Sequence, residues 1–172
     1  PAGVISATYD GRLPTVIDLL PDEYMHFNPF PAGRLDIDTE GLLLITNDGQ
    51  LAHKILSPKK HIPKKYYALV HGKVTETDVD KFSHGVVLDD GYKTLPAELN
   101  ILRSGDYSEI ELIIHEGKFH QVKRMFEAVG KKVKYLRRLE IGSLRLDESL
   151  EPGEFRELTD EELESLKASV RS

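Results

Sequence analysis

Residues 97–139 read AELNILRSGDYSEIELIIHEGKFHQVKRMFEAVGKKVKYLRRL, and the order of strand and helix signals in this stretch decides the fold class. Its first half predicts two strands rich in apolar and β-branched residues, Ala97–Arg103 and Glu109–His115. The tripeptide Ser-Gly-Asp at 104–106 predicts a hairpin turn between them. A third strand is predicted at Val133–Leu139, so the stretch favours a sheet of antiparallel strands that a helix interrupts.

That helix is predicted from four apolar residues that recur at i, i+3, i+4 and i+7: Val122, Met125, Phe126 and Val129. Gly130 follows them, where a left-handed cap belongs. Upstream, Lys65–Val70 predicts another strand. Thr75 and Asp78 have the spacing of a capping box and predict a helix that runs to about Ser83.

The remaining segments predict shorter elements around this centre. These are a strand at Gly3–Thr8, a helix at Thr15–Leu20, a loop over 24–35, a strand at Leu42–Thr46, a helix from about Gln50 to Leu56, and a C-terminal helix opened by Thr159 and Glu162. Strands predominate, so the sequence predicts an α+β fold, a mostly antiparallel mixed sheet flanked by helices. No linker or repeat interrupts the chain, and we expect one domain over residues 1–172.

Composition sets broad limits on the class of protein. The chain has 172 residues, of which 40% are hydrophobic and 30% charged, as in a globular domain. Without cysteine it can form neither disulfides nor thiolate metal sites. No apolar run approaches the roughly 20 residues that span a bilayer. We therefore expect a cytoplasmic protein that does not bind membranes.

The net charge of −6 argues, taken alone, against a nucleic-acid partner. Its distribution is uneven, because residues 1–50 carry −6, residues 51–138 carry +6 and residues 139–172 carry −6. Salt screens a charge beyond about 10 Å, so a basic centre can still bind phosphates locally. A solvated surface of mixed charge explains the same numbers, and charge alone does not decide between them.

Three segments concentrate polar groups beside apolar runs. The first is the stretch 33–41, in which Asp36 and Asp38 lie just ahead of a predicted strand, where catalytic groups are often found. The second is Lys64–Val70, whose adjacent Tyr66 and Tyr67 must face opposite sides of a strand. The third, 116–125, places several cations around a predicted helix start, a favourable position for phosphates or a carboxylate. Each segment alone also fits ordinary surface or core residues.

Taken together, the three segments resemble one family. Gly-Arg-Leu-Asp-x-x-Thr-x-Gly-Leu-Leu-Leu at 33–44, with Thr-Asn-Asp-Gly at 46–49, resembles the signature motif of the RsuA-type ribosomal-RNA pseudouridine synthases, the group with RluB, RluE and RluF. Lys-Lys-Tyr at 64–66 resembles that family's strand tyrosine. Glu-Gly-Lys-x-His-Gln-Val-Lys-Arg-Met at 116–125 resembles its third motif, and residues 150–159 are similar to its closing segment. The resemblance implies the pseudouridine-synthase catalytic fold and an enzyme that converts uridine in ribosomal RNA to pseudouridine without metal or organic cofactor.

The resemblance also implies roles for individual residues. It makes Asp36 the catalytic nucleophile, since rejoining a base to its sugar through another atom needs one carboxylate near the reacting atoms. Lys123 resembles the cation that keeps this carboxylate ionised, at a point where the wider superfamily usually has arginine. Tyr66 resembles the residue that stacks on the target base and exchanges a proton with base or sugar.

RNA contacts are implied for a second set of residues: Arg34, Lys118, His120 and Arg124. Arg34 resembles the arginine that helps displace the target nucleotide, because an enzyme acting on a base must first extrude it. Asp38 occupies a position that the motif leaves free, so we interpret it as a structural loop carboxylate.

The chain begins at Pro1 inside the family's opening motif, and Pro-Ala-Gly-Val-Ile-Ser at 1–6 looks like the end of that motif. We therefore expect the family's small N-terminal RNA-binding domain to be absent, which affects docking on ribosomal RNA or an assembling subunit. The third motif and residues 125–130 look most like RsuA, which favours a uridine in small-subunit RNA. We expect a monomer.

Three alternatives remain open at this point. The first is a synthase for large-subunit RNA, because enzymes of that group share most of these residues. The second is an RNA-binding ribosome-assembly factor that has lost turnover, although an intact Asp36, Tyr66 and Lys123 argue against it. The third is a nucleoside hydrolase-like enzyme that uses Asp36 with Asp38 and would release free base.

Overall fold

The computed structural model describes residues Pro1–Arg171 and divides the chain into two compact units. Within the described residues, the first unit comprises Pro1–Ile62 and residues 140–171, and the second comprises Pro63–Leu139. None of the helices within 1–171 has the length and apolarity that a membrane crossing requires.

The second unit is built on a β-sheet. Its strands are β4 (Lys64–His71), β5 (Glu98–Arg103), β6 (Tyr107–Ile114) and β7 (Lys132–Ile141), in the order β7-β4-β6-β5. Strand β6 pairs antiparallel with both β4 and β5. Residues 104–106 make the predicted hairpin turn between β5 and β6. Strand β4 pairs with β6 along its whole length, from Lys64 opposite Ile114 to His71 opposite Tyr107. The predicted strands of this unit are therefore confirmed.

Two helices contribute to the core of the second unit. Helix α2 (Glu76–His84) starts with the predicted capping box of Thr75 and Asp78, and α3 (Gln121–Ala128) is followed by Gly130 at a φ of 75°. Fully buried residues of both helices join those of the sheet, and the ring of Phe82 packs edge-on against that of Phe126. The apolar stripe predicted for α3 is thus the face that it buries.

The first unit contains shorter elements. They are three 3₁₀ helices (Val16–Leu19, Asp22–Phe27, Pro58–Lys60), the strands β1 (Phe30–Pro31), β2 (Glu40–Gly41), β3 (Ile45–Thr46) and β8 (Leu144–Arg145), and the helices α1 (Gly49–Leu56) and α4 (Asp160–Ser169). Strand β1 pairs with β3, and β8 pairs with the end of β7 at Glu140 and Ile141. Buried aliphatic residues from α1, α4 and β8 form this unit's own core.

Several predictions for the first unit are wrong in detail. Gly3–Thr8 is not a strand, because only Ile5 makes an isolated bridge, to Thr15. Leu42–Thr46 is a strand only at its end, where Ile45 and Thr46 pair with β1. The predicted loop over 24–35 contains the end of a 3₁₀ helix and strand β1. The helices predicted near Thr15–Leu20, Gln50–Leu56 and Thr159 are present, the first as a 3₁₀ helix.

Candidate active site

Asp36 lies in the first unit, on the loop between β1 and β2. Its side chain is half-buried, whereas those of Ile37 and Asp38 on the same loop are exposed. The Thr39 amide donates to the Asp36 carbonyl oxygen at 2.8 Å, which closes a tight turn around the carboxylate. A partly sheltered carboxylate on a closed turn can reach a ligand while its backbone stays fixed.

The N-terminal segment holds this loop on both sides of Asp36. The Gly3 amide donates to the Ile37 carbonyl at 2.6 Å, and the Leu35 amide donates to Ser6 Oγ at 3.0 Å. The two neighbours of Asp36 are therefore both tied to one segment. Such bonds limit the loop's freedom, and loops of this kind position catalytic side chains.

Gly33 and Thr39 frame the same loop. Gly33 has a φ of 110°, and a Cβ at this position would lie 3.2 Å from Leu56 Cδ2, so both backbone and space favour glycine there. The following residue, Arg34, is exposed. Thr39 is 3% exposed, and its hydroxyl has no hydrogen-bond partner within Pro1–Arg171.

Tyr66 lies in the second unit on β4, on the face whose next members, Ala68 and Val70, are fully buried. Its half-buried ring packs against the core, and among the described residues its hydroxyl makes no hydrogen bond. Tyr67 faces the other side, where its hydroxyl donates to Glu109. This bond, followed by burial, raises the pKa of Tyr67. Of the two tyrosines, Tyr66 is the one that keeps its hydroxyl available.

The predicted cations of the third segment surround the start of α3. His120 is the N-cap residue with a φ of 48°, and Lys123 on the first turn is half-buried. The Lys118 ammonium lies 4.6 Å from the centroid of the Tyr92 ring, within range of a cation–π interaction. Several basic side chains therefore lie around the start of α3.

Arg124 is held by the carboxylates of Asp89 and Asp90, which lie in one turn. Its Nη2 lies 2.7 Å from Asp89 Oδ1 and 2.9 Å from Asp90 Oδ2. Hydrogen bonding to Asp89, and then to Asp90, raises the pKa of the guanidinium. A phosphate would have to compete with both carboxylates for Arg124, so the predicted RNA contact faces an existing ion pair.

A buried carboxylate organises the loop ahead of α3. Glu116 is 9% exposed and accepts from three groups: the Tyr92 hydroxyl, the Leu95 amide at 2.7 Å and Gln121 Nε2 at 3.0 Å. The hydrogen bond to Glu116, and to a smaller extent burial, raises the pKa of Tyr92 to about 12. Residues 92–95 and the first residue of α3 are thereby fastened to one another.

Lys64, at the start of β4, belongs to the same electrostatic environment. Burial, and then the charge of Arg138, lowers the pKa of its ammonium, while Glu116 acts in the opposite direction. A Cβ placed on Gly117 would lie 3.7 Å from Lys64 Nζ, so the third motif passes close to this ammonium. The sequence pattern gave no role to Lys64 beyond the strand.

Residues 1–128 match the family described as RNA pseudouridylate synthase. The chain is 54% identical over 167 residues to the uncharacterized RNA pseudouridine synthase YtzG of Bacillus subtilis, covering 96% of this chain and 70% of the relative. The chain belongs to the RNA pseudouridylate synthase family. The resemblance to RsuA-type enzymes that the sequence predicted is confirmed, and so is the assignment as an RNA pseudouridine synthase.

Two further relatives of this synthase family define its place more closely. The chain is 45% identical over 170 residues to ribosomal small subunit pseudouridine synthase A of Vibrio vulnificus, with 96% of this chain and 71% of the relative covered. A solved crystal structure of a pseudouridylate synthase superposes with a TM-score of 0.89 at 41% identity, covering 96% of this chain and 70% of that one. The predicted pseudouridine-synthase fold is therefore confirmed.

Sequence reasoning missed the residues that support the third motif. Glu116 stood in the motif without a role, and Tyr92, Asp89 and Asp90 were not singled out. The pattern Asp-Asp-Gly-Tyr at 89–92 signals a turn with two acids. Nothing in that pattern indicates which cation 35 residues away the acids bind.

Proposed function

We propose that this synthase isomerises one uridine of small-subunit ribosomal RNA to pseudouridine, with Asp36 as the nucleophile. The observation that carries the proposal is the half-buried Asp36 on a loop whose flanking residues are both tied by hydrogen bonds. The choice of RNA draws on the likeness to relatives named small-subunit synthases. The usual place for such a reaction is the cytoplasm, on ribosomal RNA or an assembling subunit.

The reaction breaks the bond between C1′ and N1 of the uracil and forms one between C1′ and C5. The hydrogen on C5 leaves and N1 gains a proton, so atoms and mass balance. Asp36, ionised, attacks C1′ or C6 and holds the intermediate while the base changes its orientation. No cofactor is needed, because the net change is an isomerisation without oxidation.

Tyr66 and Lys123 complete the catalytic assignment, which rests on their places in the family motifs. Tyr66 stacks on the target base, and its available hydroxyl exchanges a proton. Lys123 supports the ionised nucleophile as a point charge. Arg34 helps extrude the nucleotide, while Lys118 and His120 contact phosphate or sugar.

The test of the nucleophile compares matched variants on one loop. Unmodified small-subunit RNA and partly assembled small subunits are incubated with the wild type, Asp36→Asn and Asp38→Asn, and pseudouridine is mapped by carbodiimide-dependent reverse-transcription stops. We expect a stop at one uridine that vanishes with Asp36→Asn and persists with Asp38→Asn, since Asp38 is exposed and the motif leaves it free. Loss of activity in both variants, with free uracil in solution, would favour a hydrolase that uses the two acids.

Other outcomes separate the remaining alternatives. A stop only on large-subunit RNA would move the target to that subunit. RNA binding without any stop would favour an assembly factor. Tyr66→Phe should reduce turnover while RNA affinity is kept, because it removes only the hydroxyl. Lys123→Arg should retain more activity than Lys123→Met, because it keeps the charge.

A further inference from the structure

Phe119 carries an aromatic ring that the catalytic assignment does not use. It is 75% exposed, yet its ring is stacked on that of His120, with centroids 3.8 Å apart and planes inclined by 17°. A single exposed apolar residue is common on protein surfaces. The backbone around Phe119 is held by hydrogen bonds from side chains on both sides.

Arg124 anchors the backbone of Phe119. Arg124 Nη1 donates to the Phe119 carbonyl at 2.8 Å, and the same guanidinium is held by Asp89 and Asp90. The next residue, His120, has a φ of 48°, which residues other than glycine rarely adopt. Such a conformation persists where the surroundings impose it, and it is frequent at ligand sites.

Gln121 closes the loop from the other side. Its Oε1 accepts from the Lys118 amide at 3.0 Å, its own amide donates to the Lys118 carbonyl at 3.1 Å, and its Nε2 donates to Glu116. The segment 118–120 therefore lies between fixed ends. An aromatic ring held out into solvent on an ordered backbone loses little freedom when a partner covers it.

We propose that Phe119 and His120 form a stacking platform for an unpaired base of the RNA substrate. The inference rests on the proposed function and deepens it. Single-stranded RNA is recognised by stacking its bases on aromatic rings within a positively charged surface. Lys118, which is exposed and directly precedes Phe119, supplies positive charge next to the platform. Arg124 then serves as a positioning residue that acts through Phe119.

A tryptophan probe tests the platform directly, because the chain contains no tryptophan. Phe119→Trp introduces a single indole, and its fluorescence is followed as single-stranded oligoadenylate is added. We expect quenching as a base stacks. The matched control is Leu102→Trp, since Leu102 is 51% exposed in the same unit, and it should not respond. An oligomer of abasic sugars with the same phosphates should leave the Phe119→Trp signal unchanged.

Affinity provides the second measurement. Phe119→Leu keeps apolar bulk but removes the ring, and oligoadenylate should bind about tenfold to a hundredfold more weakly. Arg124→Met should weaken binding in the same direction and also abolish quenching in the Phe119→Trp background. Thermal melting of each variant separates these effects from loss of folding.

The outcomes distinguish this proposal from the proposed reaction. An unquenched Phe119→Trp, or Phe119→Leu that binds within twofold of wild type, would overturn the platform even if pseudouridine forms normally. Conversely, if pseudouridine never forms but the Phe119→Trp signal is quenched by oligoadenylate and not by the abasic oligomer, the platform stands and the reaction assignment fails.

Discussion

Glu116 offers a quantitative test of how the third motif is held. Its carboxylate is 9% exposed and accepts from the Tyr92 hydroxyl, the Leu95 amide and Gln121 Nε2. We consider two substitutions, Glu116→Gln and Glu116→Ala. The first keeps the shape and both heteroatoms, whereas the second removes every acceptor.

The magnitudes follow from what each substitution leaves behind. With glutamine, the carbonyl oxygen can serve Leu95 and Gln121, and the Tyr92 hydroxyl can turn to accept from the new amide. Only the charge is lost, and we expect the free energy of unfolding to fall by about 1–2 kcal/mol. With alanine, three donors lose their acceptor at about 1–3 kcal/mol each, or about 3–9 kcal/mol together. Since whole domains are stable by about 5–15 kcal/mol, the alanine variant should be close to unfolding.

Urea denaturation followed by circular dichroism measures both values. The reasoning is refuted if Glu116→Ala is no less stable than Glu116→Gln, or if both lie within about 0.5 kcal/mol of wild type, as for an ordinary surface substitution. The start of α3 would then not depend on the hydrogen bonds of Glu116 for its stability.

Alkaline pH gives an independent readout of the same contact. Glu116 raises the folded-state pKa of Tyr92 from 10 to about 12. Tyr92 therefore contributes stability that is fully present below pH 10 and is lost as pH rises to about 12. Glu116→Gln should lower the pKa of Tyr92, so stability should fall less steeply with rising pH. Urea midpoints measured between pH 9 and 12 would then decrease with a smaller slope than in the wild type.

Three further predictions concern other parts of the fold. Thr39→Val should leave the midpoint of urea unfolding unchanged or higher, because the buried hydroxyl has no partner within residues 1–171. Gly85→Ala should lower the free energy of unfolding by at least about 2 kcal/mol, measured by urea unfolding, and by more than Gly91→Ala. Both glycines have φ near 88°, but only a Cβ on Gly85 would meet a carbonyl oxygen, at 2.2 Å. A hydrogen bond from Arg156, and after it one from the Thr159 amide, lowers the pKa of Glu162 to about 2. The contribution of ionised Glu162 to stability is therefore present above about pH 4.5 and lost as pH falls toward 2. Arg156→Ala should raise that pKa, measured by carboxyl carbon NMR.

The sequence predicted the second unit well because its strands are long. Strands of six to ten residues and helices with an apolar stripe carry their pattern over several repeats, so the period is clear. Capping boxes at Thr75 and Thr159 fixed helix starts for the same local reason. Each of these signals can be read within one short segment.

The first unit was predicted less well because its elements are set by distant partners. Its strands have two residues each, too few for any alternation to appear. The segment after Pro1 is held in turns and bends by its bonds to Leu35 and Ile37, and only the end of Leu42–Thr46 finds a partner strand. Apolar composition shows that a segment is buried, but its geometry here depends on contacts some 30 residues away.

Arg124 shows the same limit within the site. A cation near a helix start and next to a lysine predicts a phosphate contact, and the chemistry of guanidinium allows it. The guanidinium nevertheless has three acceptors on the protein, Asp89, Asp90 and the Phe119 carbonyl. Motif positions define which groups a site can use, while tertiary contacts decide which of them face the substrate and which hold the others. In this synthase the charge of Arg124 is paired with Asp89 and Asp90, and its Nη1 holds the Phe119 carbonyl. The effect of Arg124→Met on RNA binding should therefore depend on Phe119 being present.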